Sequence, residues 1–248
     1  MSARQAVILA AGRGTRLGPL TADTPKPLLP LAGRPLLLHT LDALAAAGIA
    51  SAVVVVGYLG DRIVDALTAA PPPGLELRFV RQERLEGTAR AAALARPHLA
   101  PGPFLVTWGD VYLDPESYAA LLGAAPGSDG ALLVNPVDDP WAGAAVYVDD
   151  AFRVTRIVEK PPRGTSATPW NNAGPAVLGA WLWPFVEALE PSSRGEYELP
   201  RAVAAAIEAG RTVRAVPVRG AWFDIGTPES LEAARRYAEA RRGGKVHP

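Results

Sequence analysis

A glycine-rich segment near the start of the chain carries residue types suited to holding phosphate. Residues 9–30 read LAAGRGTRLGPLTADTPKPLLP and follow an apolar run, Gln5 to Ala10, that is typical of a β-strand. Three glycines lie in the segment: Gly12, Gly14 and Gly18. Glycine adopts positive φ and lets an anion approach backbone N–H groups closely, and Arg16 and Lys26 add two cations nearby. We therefore predict a triphosphate-binding loop over these residues.

The spacing of these glycines differs from two common nucleotide-binding motifs. It reads G-x-G-x-x-x-G, which misses the dinucleotide fingerprint by one residue, and no G-K-[ST] follows as in a P-loop. An ordinary strand-to-loop turn with unrelated cations remains an alternative for the glycines alone. Lys26 argues against that alternative, because Pro25 and Pro27 restrict the backbone on both sides of it.

Two aspartates that are far apart in the chain each follow an apolar stretch. Asp110 comes shortly after the strand-like run Phe104 to Thr107, and Asp224 lies in the sequence WFDIGTP. Carboxylates at the C-terminal edge of a parallel sheet lie where ligands bind. A turn aspartate that caps the next helix is the alternative at either position.

The elements that must position these residues alternate between strands and helices as far as Asp110. Continuous apolar runs predict strands, and stretches with helical periodicity separate them. The predicted strands are Gln5–Ala10, Val53–Val56, Leu75–Val80, Phe104–Thr107, Ala131–Asn135, Ala144–Val148 and Arg153–Val158. The predicted helices are Leu36–Ala47, Asp61–Ala69, Thr88–Ala95, Leu199–Ala209 and Pro228–Ala240. This order predicts an α/β protein with a mainly parallel sheet that becomes antiparallel or mixed after Asp110.

Composition limits the classes of protein that the chain can represent. Its 248 residues suffice for a sizeable core, and 49% of them are hydrophobic. A formal net charge of zero argues against non-specific nucleic-acid binding, and the lack of cysteine excludes disulfides and thiolate metal sites. No apolar run approaches ~18 residues and no leader pattern opens the chain, so we expect no membrane span and a cytoplasmic location. We expect one domain over 1–240 and a flexible tail over 241–248.

The opening motif resembles that of the sugar-1-phosphate nucleotidylyltransferases, or NDP-sugar pyrophosphorylases. Their motif is close to LAAGxGTRLxPLTxxxPKPLLPxxGxPLI, and residues 9–37 match most of its positions in order. The resemblance extends to about Leu231 and is to the glucose-1-phosphate thymidylyltransferase and uridylyltransferase type. It implies a three-layer α/β/α sandwich with a mixed, mainly parallel central sheet. It also implies a nucleotide-binding half over about 1–110 and a sugar-binding half over about 111–240.

On the nucleotide side, the resemblance assigns contacts to the glycine-rich segment and to residues 82–89. The predicted nucleotide-binding residues are Leu9, Ala10, Ala11, Gly12, Gly14, Thr15, Gln82, Gly87 and Thr88. The Gln82 amide offers a donor beside an acceptor, which complements the N3–H and C4=O edge of uracil or thymine. Gln82 therefore favours UTP or dTTP but does not separate them, because one methyl group discriminates by only ~1–3 kcal/mol. A solvated glutamine after a strand is the alternative.

On the sugar side, the resemblance rests on E-K-P at 159–161 and N-A-G at 172–174. The predicted sugar-binding residues are Gly143, Glu159, Lys160, Asn172 and Glu196. The resemblance implies that Lys160 binds the sugar phosphate, whereas Glu159 and Asn172 contact the sugar itself. Gly143 matches a glycine whose backbone approaches the sugar, although Ala142 replaces the tyrosine that often precedes it. An exposed charge pair at a strand end is the alternative for Glu159 and Lys160.

The resemblance implies nucleotidyl transfer assisted by Mg²⁺ on Asp110 and Asp224. A phosphate oxygen of the sugar 1-phosphate would attack the α-phosphorus of the nucleotide in line, and pyrophosphate would leave. The second pKa of a phosphate is about 6, so the attacking group needs no general base. Arg16 would stabilise the pyrophosphate, Lys26 the charge at the α-phosphorus and Lys160 the sugar phosphate. The predicted catalytic residues are Arg16, Lys26, Asp110 and Lys160.

Several alternatives stay open at this point. The same fold could use GTP with mannose 1-phosphate, or CTP with another phosphorylated acceptor such as phosphocholine. A non-catalytic regulatory homologue is the alternative from another class, but such relatives usually lose residues that are present here. An NAD-dependent oxidoreductase is suggested only by the turn glycines and lacks their required spacing. Tryptophans such as Trp141 and Trp222 suit either a core or the interface of a homo-oligomer.

Overall fold

This computed structural model describes residues 3–244, which form thirteen strands and seven α-helices. The strands are β1 Gln5–Ala10, β2 Pro30–Leu31, β3 Arg34–Pro35, β4 Ser51–Val56, β5 Glu76–Arg81, β6 Phe104–Trp108, β7 Val111–Leu113, β8 Gly130–Pro136, β9 Ala144–Val148, β10 Val154–Glu159, β11 Trp170–Leu178, β12 Val213–Pro217 and β13 Trp222–Asp224. The helices are α1 Leu36–Ala46, α2 Gly60–Ala69, α3 Thr88–Ala95, α4 Pro115–Ala124, α5 Trp183–Glu187, α6 Leu199–Glu208 and α7 Pro228–Arg242.

The central sheet within the described residues has nine strands and two kinds of pairing. The order β10-β9-β11-β6-β1-β4-β5 runs across it, and β8 pairs with both β11 and β12. Strands β6, β1, β4 and β5 are mutually parallel, as expected of βαβ units, whereas β11 runs antiparallel to β6, β8 and β9. The carboxyl ends of the parallel strands therefore lie along one edge of the sheet, where ligands bind in such folds.

Helices cover both faces of this sheet, because alternate side chains of each strand point in opposite directions. Ala6, Ile8 and Ala10 of β1 pack with α1, α2 and α4, whereas Val7 and Leu9 pack with α3, α5 and α6. Both faces of the strand are therefore buried, which explains its uninterrupted apolar sequence. The arrangement has three layers and a mixed sheet, so the predicted fold class is confirmed. No helix within residues 3–244 has the length and apolarity needed to cross a bilayer.

The structure adds elements that the sequence analysis missed and shifts several predicted boundaries by one or two residues. Helix α4 and the strands β7, β11, β12 and β13 all lie after residue 110 and were not predicted. The predicted tail began at 241, but α7 runs to Arg242, and Arg241 Nη1 lies 2.6 Å from the buried Asp114 Oδ1. This part of the tail prediction is wrong, because that ion pair and the helix both hold Arg241. Residues 245–248 lie outside the described chain, and the single domain stays a prediction.

Candidate active site

Two adjoining cavities open at the carboxyl edge of the parallel strands. The first, the glycine-loop cavity, has a volume of about 370 Å³ and is lined by residues of the glycine-rich segment and of the stretch 82–91. The second, the carboxylate cavity, has a volume of about 340 Å³ and is lined by Glu159, Asp224 and Asn172 among others. Trp108 and Asp110 line both. The aspartate that follows β6 therefore stands at the junction of the two cavities.

The glycine-rich segment forms a tight turn that closes over Lys26. Gly14 has φ +65°, and its carbonyl oxygen accepts hydrogen bonds from Leu17 N and Thr21 Oγ1, both at 3.0 Å. A Cβ atom on Gly14 would lie 3.3 Å from both the Lys26 and Thr21 side chains. Glycine is therefore required here by both the backbone conformation and the space beside Lys26.

Lys26 lies buried between the two aspartates that the sequence analysis singled out. Its side chain is only 7% exposed, and its Nζ lies 2.7 Å from Asp110 Oδ2 and 3.7 Å from Asp224 Oδ1. The residue follows Pro25, which is extended, and begins a short turn that contains Pro27. The two prolines thus direct a buried ammonium group to the junction of the cavities, where its charge offsets part of the charge of two carboxylates.

Backbone pairing brings Asp110 and Asp224 together from distant parts of the chain. Strand β13 pairs antiparallel with β7, which places Asp224 opposite Val111, and Ile225 N donates to Asp110 O at 3.1 Å. Burial raises the pKa of Asp224 above its ordinary value, and the charge of Asp110 raises it further, whereas Lys26 and Arg16 oppose this shift. A cation at this position is therefore favoured, because it keeps the Asp224 carboxylate ionised.

The stretch from Gln82 to Thr88 forms the opposite wall of the glycine-loop cavity. Gln82 is 6% exposed, and its Nε2 donates to Gly87 O at 3.3 Å. Gly87 has φ +108°, and a Cβ atom there would lie 2.6 Å from Tyr197 O. Thr88 Oγ1 accepts a hydrogen bond from Leu199 N at 2.8 Å. The segment that leads into α6 therefore packs against this wall, through Tyr197 at Gly87 and Leu199 at Thr88.

Residues from β9, β10 and β11 form the far wall of the carboxylate cavity. Lys160 N donates to Gly143 O at 2.7 Å, and Asn172 Oδ1 accepts from Gly174 N at 3.0 Å. Glu159, Gly143 and Asn172 all line the cavity, whereas Lys160 is exposed, has φ +44° and lines neither cavity. The structure therefore brings three of the predicted sugar-binding residues together and leaves Lys160 at the surface beside them.

Comparison with known protein families identifies a match over most of the chain. The family model described as "Nucleotidyl transferase" matches residues 5–241. The chain belongs to the nucleotidyl transferase family. This finding confirms the resemblance seen in the opening motif, and the match includes both cavities and the Lys26 cluster with Asp110 and Asp224.

Relatives of this nucleotidyl transferase match it over nearly its full length. It is 32% identical over 239 residues to the UTP–glucose-1-phosphate uridylyltransferase AglF of Haloferax volcanii, covering 94% of this chain and 95% of that one. It is 33% identical over 244 residues to a glucose-1-phosphate thymidylyltransferase of Streptomyces griseus, covering 95% of this chain and 66% of that one. The chain thus spans about two thirds of the thymidylyltransferase.

Among solved structures, a UDP-glucose pyrophosphorylase complexed with UDP-glucose superposes with a TM-score of 0.84 at 18% identity. The match covers 97% of this chain and 100% of that one, and it supports the fold. A putative glucose-1-phosphate thymidylyltransferase from Bacillus anthracis, in complex with a sucrose, superposes with a TM-score of 0.82 at 25% identity, covering 95% of each chain.

Asp110 and Asp224 are the predicted ligands of a divalent metal ion in this nucleotidyl transferase. Among residues 3–244, no group of three or more His, Cys, Asp or Glu side chains is arranged to hold a metal. Asp110 and Asp224 nevertheless fit Mg²⁺, because this ion takes one or two carboxylates and keeps several waters. Their side chains are 32% and 47% exposed, so both remain open to the cavity. The Lys26 ammonium between them shows that the site already favours a cation.

Two predicted residues occupy positions that differ from their assignment. Arg16 lines the carboxylate cavity, and a Cβ atom on Gly226 would lie 3.0 Å from Arg16 Nη2. Glu196 lines the glycine-loop cavity, although the resemblance assigned it to the sugar. Arg16 lies in the short helical turn that follows Gly14, and its side chain lies beside Gly226, two residues after β13. The roles of both side chains stay predictions.

Sequence reasoning missed several residues that line the cavities of the nucleotidyl transferase. Trp108 lines both cavities, and Trp222 Nε1 donates to Ala173 O at 2.7 Å in the wall of the carboxylate cavity. Asp139 also lines that cavity and accepts a hydrogen bond from Gly164 N at 2.8 Å. Arg13 lines the glycine-loop cavity. The position of Trp108 immediately before Gly-Asp was the one available signal for it.

Glu159 has an unusual electrostatic environment in the carboxylate cavity. Its side chain is 15% exposed, and burial raises its pKa to about 7, with the charge of Glu198 as the next cause. The positive charge of Arg194 opposes this rise in the pKa of Glu159, because Arg194 Nη2 lies 3.7 Å from Glu159 Oε1. The same guanidinium lies 2.5 Å from Glu198 Oε1, so its charge is shared. The Glu159 carboxyl group therefore titrates near neutral pH.

Proposed function

We propose that the protein transfers a nucleotidyl group from UTP or dTTP to a sugar 1-phosphate and releases pyrophosphate. One observation carries this proposal: two cavities of similar volume meet at Asp110, and a buried Lys26 ammonium stands there between Asp110 and Asp224. Two polyanionic substrates can only meet where positive charge offsets their repulsion. Membership of the nucleotidyl transferase family and the relatives' names support the same reaction.

The nucleotide occupies the glycine-loop cavity in this proposal. Its phosphates lie against the backbone N–H groups of the turn at Gly12 and Gly14, which line that cavity. The base lies against Gln82, whose Oε1 accepts none of the described hydrogen bonds and whose amide can pair with uracil or thymine. GTP with mannose 1-phosphate and CTP with phosphocholine are the competing pairs, and the substrate screen below decides among them.

The sugar 1-phosphate occupies the carboxylate cavity. Glu159 and Asn172 accept hydrogen bonds from its hydroxyl groups, and Gly143 allows the ring to approach the backbone because it carries no side chain. The exposed Lys160 ammonium binds the phosphate at the rim.

Since both halves of the chain contribute strands to one sheet, we also propose that residues 1–240 act as one domain.

The reaction exchanges one phosphoanhydride bond for another. An oxygen of the sugar phosphate attacks the α-phosphorus as the bond to the β-phosphate oxygen breaks, so pyrophosphate takes the bonding electrons. The attacking phosphate is already ionised near neutral pH, so no side chain has to remove a proton. Asp110 and Asp224 would hold Mg²⁺, which supplies positive charge to the phosphates when bound.

Lys26 and Arg16 supply the protein's own charge at the point of transfer. Lys26 is buried at the junction of the cavities, so its ammonium acts in surroundings that screen charge less than water does. Arg16 lies in the carboxylate cavity near Asp224, from which it reaches the junction where the two phosphates meet. Both groups stabilise negative charge that spreads over the phosphate oxygens during transfer.

A pyrophosphate-release screen tests the proposal. The four common ribonucleoside triphosphates and dTTP are each combined with a panel of sugar 1-phosphates and with phosphocholine, in the presence of Mg²⁺. We expect release with UTP or dTTP and a sugar 1-phosphate. Asp110→Asn should reduce the rate by on the order of 10²–10³, whereas Asp42→Asn, which breaks a surface pair with Arg34, should leave it unchanged. Release with no pair, or full activity of Asp110→Asn, would contradict the proposal.

A further inference from the structure

The side chains that line the glycine-loop cavity carry more negative than positive charge, although the proposed ligand is a triphosphate. Its described lining holds three charged side chains, those of Arg13, Asp110 and Glu196. Two of these are acidic, whereas a triphosphate or a pyrophosphate carries several negative charges. Arg16, which the sequence analysis assigned to the pyrophosphate, lines the other cavity instead. Arg13 is therefore the one cation among the described lining residues of this cavity.

Arg13 is exposed, and its guanidinium pairs with no carboxylate among residues 3–244. Within residues 3–244, no carboxylate oxygen lies within 4.0 Å of its nitrogens and none of its N–H groups donates a hydrogen bond. A guanidinium carries five N–H donors in a planar fork that matches phosphate oxygens. Its neighbours in the cavity are the turn glycines Gly12 and Gly14, whose backbone N–H groups also suit an anion. Arg13 and the two glycines thus line one cavity.

Tyr58 holds the loop that carries Arg13. Its backbone N donates to Ala11 O at 3.0 Å, and its hydroxyl shares one hydrogen between Ala22 O at 2.9 Å and Thr21 O at 3.2 Å. One residue thus ties the start of the glycine-rich segment to its later part. The Arg13 Cζ lies 5.6 Å from the centroid of the Tyr58 ring, within the range of a cation–π contact. The ring therefore limits where the guanidinium can lie.

We propose that Arg13 binds the phosphates of the nucleotide and of the leaving pyrophosphate, and that Tyr58 is its positioning residue. This assignment deepens the proposed function and rests on it. Arg13 binds the part of the nucleotide that leaves, whereas Lys26 stands at the junction where the new bond forms. Loss of Arg13 should therefore weaken nucleotide and pyrophosphate binding without affecting binding of the sugar 1-phosphate.

Calorimetric titration of the full chain with pyrophosphate and Mg²⁺ tests this assignment. Arg13→Ala should raise the dissociation constant by on the order of tenfold or more, because a charge-assisted hydrogen bond is lost. Arg13→Lys should give an intermediate value, since it keeps the charge but not the fork. The matched control is Arg156→Ala, because Arg156 stacks on Tyr147 at 4.6 Å and lines neither cavity. The control should bind pyrophosphate as the unmodified protein does.

Steady-state rates and a double-mutant cycle separate binding from general damage. Arg13→Ala should raise KM for the nucleotide and leave KM for the sugar 1-phosphate unchanged. Tyr58→Leu should weaken pyrophosphate binding when Arg13 is present and have a smaller effect in the Arg13→Ala background. Equal effects of Tyr58→Leu in both backgrounds would overturn the positioning role.

The outcomes distinguish this assignment from the proposed function. Pyrophosphate binding needs neither an acceptor nor turnover, so a loss of affinity in Arg13→Ala supports the assignment even if no nucleotide sugar forms. An active enzyme whose Arg13→Ala variant keeps its pyrophosphate affinity and nucleotide KM would overturn the assignment alone. A protein that binds no pyrophosphate at all would overturn both.

Discussion

Replacing Lys26 with methionine should make the thermal stability of the protein depend on divalent metal ions. Methionine keeps an unbranched apolar side chain of similar length but removes the charge. The ammonium lies 2.7 Å from Asp110 and 3.7 Å from Asp224, so its loss removes the cation between the two carboxylates and leaves the more distant Arg16 to offset their repulsion. Repulsion between them then destabilises the folded state until another cation binds.

The magnitude follows from the partial burial of this cluster. Removing one partner of a fully buried ion pair costs about 3–5 kcal/mol, and an exposed pair contributes about 0–1 kcal/mol. Lys26 is 7% exposed, but the aspartates are 32% and 47% exposed, which places the cluster between these limits. We therefore expect a loss of about 2 kcal/mol, an intermediate between those two cases. For a chain of this size, such a loss lowers Tm by about 4–8 °C.

Thermal unfolding in EDTA and in excess Mg²⁺ or Mn²⁺ measures this effect. In the unmodified protein the metal competes with the Lys26 ammonium for the same carboxylates, so added metal should raise Tm only slightly. In Lys26→Met the metal has no competitor, and its binding should restore most of the lost stability. Arg34→Met is the matched control, since Arg34 pairs with the single carboxylate of Asp42 at 2.6 Å.

Two results would refute this reasoning. If Lys26→Met unfolds in EDTA at the same temperature as the unmodified protein, Lys26 is not the counter-ion of Asp110 and Asp224. If metal raises Tm equally in both proteins, the metal binds elsewhere and the two aspartates do not form its site. A metal response in Arg34→Met equal to that of Lys26→Met would show a general salt effect.

Three further predictions concern the walls of the cavities. Burial raises the pKa of Glu159 to about 7, so KM for the sugar 1-phosphate should rise as the pH falls through this value, because protonation turns one of the two acceptor oxygens into a donor and removes the negative charge. Glu159→Gln should remove this step from the pH profile of KM. Gly87→Ala should cost about 1–3 kcal/mol of stability, measured by denaturant unfolding, because its φ is +108° and the new Cβ would lie 2.6 Å from Tyr197 O. Gln82→Ala should raise KM for the nucleotide by on the order of tenfold and leave KM for the sugar 1-phosphate unchanged, as initial rates would show.

Local sequence patterns predicted the first half of the fold well. The bounds of β1 and α3 agree with the prediction, and β4 begins two residues earlier than the predicted Val53. These elements have strong local signals, namely continuous β-branched runs and alanine-rich helical stretches. Their pattern is determined by burial on both faces of the sheet, which affects every residue of a strand in the same way.

The second half was harder to predict because its strands contain residues that disfavour strands. Strand β11 includes Asn171, Asn172, Gly174 and Pro175, which read as a loop when taken alone. In the structure Asn171 Nδ2 donates to Asn135 Oδ1 of β8 at 3.0 Å, and the two residues are paired across the sheet. Long-range pairing therefore stabilises a strand that local propensity does not indicate.

The sequence by itself determined the chemistry available to this protein. Glycines at positions that need positive φ, a lysine between two prolines and two aspartates after apolar runs limit the site to phosphate and cation chemistry. Tertiary structure decided which of these groups meet. Lys26 and Asp110 are 84 residues apart, and Asp224 reaches them only because β13 pairs with β7. Propensity acts over a few neighbouring residues, whereas strand pairing and the turn at Gly14 determine which cavity Arg13 and Arg16 each line.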